Sequence, residues 1–139
     1  MDGKKEFERI MGEVNTIALA SSVGDIPNVR YVNFIYAMDE KTLYFQSGKE
    51  TQKEKEFEKN ENVAFITLET ANRAHVRVHH ATVKKSEKTI FDVQAMFIKK
   101  MSFYKHLIEE FGNTMNLYEI HFSTAIVHPD VNNSVEIEI

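Results

Sequence analysis

A succession of short apolar runs, each bounded by turn chemistry, limits what this chain can fold into. They fall at residues 16–21, 29–36, 42–47, 63–68, 75–83, 117–127 and 135–139. All are of strand length, and the stretches His75-Val76-Arg77-Val78 and Val135-Glu136-Ile137-Glu138 alternate as half-buried strands do. Gly24-Asp25-Ile26-Pro27-Asn28 and Asp39-Glu40-Lys41 supply turns between them. The pattern predicts six to seven strands that are mostly neighbours in sequence. Antiparallel pairing into a closed or nearly closed barrel is the simplest way to leave few free edges. A doubly wound sheet is disfavoured, because helices do not alternate regularly with the strands.

The helical segments are fewer. Phe7, Ile10, Met11 and Val14 form one apolar stripe over residues 4–14. Residues 51–60 are rich in Lys and Glu, with Phe57 the main apolar side chain and Thr51 a potential N-cap, so a short solvated helix is expected there. Residues 87–111 carry apolar side chains at helical spacing, with a break near Lys99-Lys100 and a stop at Gly112-Asn113. The fold class expected is therefore mainly β with flanking helices (α+β), in a single domain over residues 1–139.

Charge and composition narrow the function. The net charge of -4 makes a general polyanion binder unexpected, and no nucleic-acid partner is expected. With no cysteine, disulfides, zinc-thiolate sites and cysteine nucleophiles are ruled out. Neither a signal peptide core nor a membrane-length apolar run is visible, so a cytoplasmic protein without a membrane partner is expected.

The stretch from Arg30 to Lys53 points most directly at a ligand. Arg30 opens one strand, Ser47 ends the next, and Thr51, Gln52 and Lys53 begin the following helix. Singly these are common surface, turn and cap residues. Together, a guanidinium fork, an ammonium and a helix start with small hydroxyls suit a phosphate group. His75 and His79 share a strand face, but Arg77 stands between them and no acid completes a ligand set, so no metal site is expected. There is no Gly-x-Ser-x-Gly elbow and no Gly-rich dinucleotide loop.

In the order and spacing of these parts the chain resembles the pyridoxamine 5'-phosphate oxidase-like superfamily of FMN-binding split barrels, in its small form. The residues carrying the resemblance are Ile17-Ala18-Leu19-Ala20, Pro27-Asn28-Val29-Arg30, Leu43-Tyr44-Phe45-Gln46-Ser47, Lys53, Asn60-Glu61-Asn62-Val63 and His75-Val76-Arg77-Val78. It implies a six- to seven-stranded antiparallel split β-barrel with FMN at a homodimer interface. By that resemblance Arg30 and Lys53 contact the phosphate, with Thr51 and Gln52 beside them. The backbone of Tyr31, Val32 and Asn33 passes the flavin ring, Gln46 and Ser47 form the next contact pair, and His75 reaches the polar edge of the ring. Two departures bear on activity: Ile35 stands where the true oxidases have a substrate lysine, and the Trp- and Arg-containing closing motif is replaced by Val135-Glu136-Ile137-Glu138-Ile139. Pyridoxamine phosphate oxidation is thus not expected. The expectation is an FMN-dependent oxidoreductase passing electrons from a reduced nicotinamide or similar donor to a small acceptor, with no catalytic residue assigned. The alternatives are a flavin-binding or sensory module without turnover, and a split barrel holding haem or a deazaflavin.

Overall fold

The computed structural model describes residues 1–139. The strands are β1 (Thr16–Val23), β2 (Ile26–Asn33), β3 (Ile35–Ala37), β4 (Thr42–Gly48), β5 (Asn62–Thr67), β6 (His75–Lys85), β7 (Met115–His121), β8 (Thr124–His128) and β9 (Val135–Glu138). The helices are α1 (Gly3–Glu13), α2 (Gln52–Lys59), α3 (Gln94–Lys100) and α4 (Tyr104–Phe111). The mainly antiparallel α+β architecture agrees with the sequence pattern.

Nine strands arise from seven apolar runs because two runs break. The run at residues 29–36 breaks at Phe34, between β2 and β3, and the run at residues 117–127 breaks between β7 and β8. At the first break the Phe34 N–H bonds to Asn15 O (3.0 Å) and its ring is fully buried. Phe34 and Phe122 keep an apolar side chain at each break, so the change of pairing partner leaves little mark on the pattern. The strand order is β2-β1-β5-β6-β7-β4-β3, and the two ends of that path are successive segments of the chain joined at Phe34. The long strand β6 changes partner along its length. Its first residues, His75 to Arg77, pair with β8, and Thr82 to Lys85 pair with β7. That shared strand splits the barrel.

Two apolar clusters fill the structure. The larger one lies inside the barrel and includes Ile17, Leu19, Val32, Phe45, Phe65, Val78 and Ile120. Helix α1 covers it with Phe7, Ile10 and Met11, all essentially buried, and each such side chain contributes about 1.5–3 kcal/mol of transfer free energy. Asp2 starts that helix by accepting from the N–H groups of Lys4 and Lys5. The smaller cluster lies on the other face of β3, β4 and β7, where Ile35, Tyr44 and Leu117 meet Ile90, Phe97, Tyr104 and Ile108.

The break between α3 and α4 follows Lys100, as the sequence suggested. The Lys100 Nζ donates to Met11 O (2.9 Å) and Phe34 O (3.1 Å) and lies 3.8 Å from the centroid of the Phe34 ring. It thus ties the end of α1 to the β2–β3 break, and burial pulls its pKa down to about 8. Gly112 caps α4 in right-handed backbone, so its role is space: a Cβ there would lie 2.5 Å from Phe91 Cζ.

Candidate functional site

Strand register decides which residues share a face. Arg30 pairs with Leu19, Leu19 with Phe65, and Phe65 with Val78. The last three are core residues, so Arg30 points to the inner side of the sheet, at the barrel end that α2 covers. Val29 and Tyr31 therefore point outward and are 62% and 71% exposed.

Helix α2 meets that barrel end through Phe57. Its ring packs edge-on to Phe45 at 6.0 Å and lies 5.7 Å from the Arg30 guanidinium carbon. Lys53 lies one turn before Phe57, on the same face of the helix. It forms no ion pair, and its pKa is lowered by burial and then by the neighbouring Arg30 charge. Lys53 thus stands near enough to the Arg30 charge for its own charge to be disfavoured.

Ser47 and Thr51 complete the corner. Their hydroxyls are 3.2 Å apart, and Ser47 Oγ also donates to Gly48 O (3.1 Å). Thr51 occupies the N-cap position of α2, but its side chain makes no capping bond. The expected capping role gives way to the Ser47 contact, which leaves first-turn N–H groups open.

The expectation of a solvated α2 needs correcting. Glu54 and Glu56 are buried. Glu54 accepts from Asn116 Nδ2 (3.0 and 3.2 Å) and from the Glu50 N–H (3.2 Å). Glu56 accepts from Ser21 Oγ (2.7 Å), Asn28 Nδ2 (3.1 Å) and Arg30 Nη2 (2.8 Å). Hydrogen bonds from Ser21, then Asn28 and Arg30, outweigh the burial penalty and hold its pKa down to about 2. The Arg30 Nη1 donates to Leu19 O (3.1 Å) and Ser21 Oγ (3.0 Å), so two of the five guanidinium N–H groups stay unengaged. No signal in the sequence marks Glu56, because its partners lie 26 to 35 residues away.

The other candidate residues lie apart from this corner. Val32 is buried in the barrel core, and Asn33 Oδ1 accepts from Thr16 Oγ1 (2.9 Å). Gln46 is half-buried and faces the smaller cluster, on the opposite side of β4 from Ser47, and Gln52 is exposed. His75 lies on the outer face, three residues from the inward Val78. Its Nδ1 is 3.0 Å from Arg73 O, and its ring stacks on His128 at 4.3 Å and 11°. His79 and His80 are both exposed beside the bulge in the β5–β6 pairing, whereas strict alternation places them on opposite faces. No three His, Asp or Glu side chains gather in metal-binding geometry. No helix is long and apolar enough to cross a membrane.

A phosphate at this corner would meet Lys53, the Ser47–Thr51 hydroxyls and the open turn of α2, beside an Arg30 that is paired with Glu56. The fold is that of a small split-barrel protein. The chain belongs to the pyridoxamine 5'-phosphate oxidase-like family, whose sequence pattern matches residues 10–134. No curated protein matches it in sequence.

Solved structures share the fold at low identity. General stress protein 26 from Bacillus anthracis str. Sterne superposes with a TM-score of 0.76 at 14% identity, covering 100% of both chains. A heme binding protein from Mycobacterium smegmatis gives 0.77 at 10% identity, covering 99% of this chain and 58% of that one. A FAD-binding protein from Mesorhizobium loti gives 0.64 at 14% identity, covering 87% of this chain and 90% of that one.

Proposed function

We propose that the chain is an FMN-binding oxidoreductase that acts as a homodimer. The observation that carries this reading is the gathering of Arg30, Lys53 and the Ser47–Thr51 hydroxyl pair at the start of α2. In this reading Lys53, Ser47, Thr51 and Arg30 hold the phosphate, with Gln52 at the exposed rim. The backbone of Tyr31, Val32 and Asn33 lines the ring. A bound flavin would supply two-electron transfer between a reduced nicotinamide or similar donor and a small acceptor. The chain's own part is to anchor, orient and shield the cofactor; no side chain at the corner is assigned a proton-transfer step.

The outer face supports the dimer. Val29, Tyr31, Ile66 and Leu68 are 62%, 71%, 37% and 42% exposed on β2 and β5 and just beyond β5. Register places Tyr31, Ala18 and Ile66 in one row across β2, β1 and β5. A second copy would bury this apolar surface and bring it towards His75 on the same outer face. Fluorescence titration with FMN tests the reading: saturable quenching at one FMN per chain is expected, and none at millimolar protein would refute it.

Haem is a second reading, favoured by the His75–His128 pair. The carbonyl of Arg73 accepts from His75 Nδ1, which leaves Nε2 as the ring nitrogen free of a protein partner. Burial, then His75 and Arg77, lower the pKa of His128. Exposed Ile66 and Leu68 lie on the strand next to His75 or just past its end. A Soret band after haem addition that His75→Ala abolishes would favour this reading over the flavin.

A further inference from the structure

Arg30 is already paired. Its guanidinium donates to Glu56 at 2.8 Å, to Ser21 at 3.0 Å and to Leu19 O at 3.1 Å, and the two charged side chains are only 18% and 9% exposed. Glu56 in turn is fixed by Ser21 on β1 and by Asn28, which shares β2 with Arg30. A carboxylate held this way offers a guanidinium what a phosphate oxygen offers: a fixed anionic acceptor. Glu54, the buried acid next to Lys53, is held by Asn116 and by the Glu50 N–H.

The charge balance of the corner follows. Arg30 and Lys53 bring two positive charges, and Glu54 and Glu56 bring two negative ones, so the set is neutral. A phosphate monoester carries about -1.5 to -2 at neutral pH. It would meet a guanidinium whose charge is already matched, beside a carboxylate that repels it. The hydroxyls, the open helix turn and Lys53 remain as its partners, and only one of these, Lys53, carries a full charge.

We infer, resting on the flavin reading above, that Glu56 is a specificity-determining residue that holds Arg30 as a resident counter-ion, so that the site takes flavins with and without a 5'-phosphate at comparable affinity. Loss of the Glu56 charge releases Arg30 and converts the corner into a strong phosphate site. The residue does not touch the ring and acts through Arg30 alone.

The experiment titrates the wild type and Glu56→Gln with FMN and with riboflavin, each followed by flavin fluorescence. The wild type is expected to separate the two ligands by no more than tenfold, about 1.4 kcal/mol. Glu56→Gln is expected to gain at least tenfold for FMN, about one charge-assisted hydrogen bond, and to leave riboflavin unchanged. A wild-type preference for FMN above about tenfold overturns the inference without any variant, as does Glu56→Gln that binds riboflavin normally but gains nothing for FMN. Binding of neither ligand by either protein overturns the flavin reading and this inference with it.

Discussion

Replacing Arg30 by Ala isolates the interaction on which the corner is built. The substitution leaves Glu56 with Ser21 and Asn28 but without its counter-charge, in a place where its side chain is 9% exposed. Removing one partner of a buried ion pair costs about 3–5 kcal/mol, and partial solvent access at Arg30, together with the two surviving hydrogen bonds, brings the expectation to about 2–3 kcal/mol. Loss of the contact between guanidinium and Phe57 adds about 0.5 kcal/mol. In a Glu56→Gln background the same replacement should cost about 1–2 kcal/mol less, since no stranded carboxylate remains. The pH dependence has a definite sign. The folded carboxyl titrates at about 2, below its ordinary 4.5, so its contribution is complete above pH 4.5 and disappears as pH falls through 2. The advantage of wild type over Glu56→Gln should therefore shrink across that interval. Urea unfolding followed by circular dichroism at pH 7 and pH 3 measures all of this. An Arg30→Ala cost below about 0.5 kcal/mol, or an equal cost in both backgrounds, would refute the account of a coupled buried pair.

Three further outcomes are expected. Lys53→Ala should weaken FMN binding several-fold while leaving riboflavin binding and thermal stability unchanged; equal losses for both ligands would remove Lys53 from the phosphate end. The protein should run as a dimer in light scattering, and Val29→Asp with Ile66→Lys should give a folded monomer; a monomeric wild type that binds FMN tightly would contradict the shared interface. Lys100→Met should destabilise by about 1–3 kcal/mol, because it leaves the carbonyls of Met11 and Phe34 without their donor. Unchanged urea stability in that variant would show that the tie between α1 and the β2–β3 break carries no weight.

Much of the architecture was legible in the sequence, for reasons that particular elements make plain. Periodicity marked the strands, and the stripe of Phe7, Ile10 and Met11 marked α1. The breaks at Phe34 and after His121 were hidden, since an apolar run does not record a change of pairing partner. The facing of β2 was also hidden: Val29 and Tyr31 look like inward residues, yet they are exposed while Arg30 is half-buried. A strand whose outer face is itself apolar defeats the usual alternation. Arg30 and Lys53 could be picked out because cations near a helix start have a recognisable chemistry. Glu56 could not, because a single acid among Lys and Glu looks solvated until Ser21, Asn28 and Arg30 arrive from other strands.

The absorption spectrum of the purified protein, taken as isolated and again after incubation with FMN and desalting, tests the central claim most directly. Flavin bands near ~450 nm that survive desalting are expected. A Soret band near ~410 nm in the protein as isolated, or no visible absorbance after FMN has been offered and removed, would contradict it.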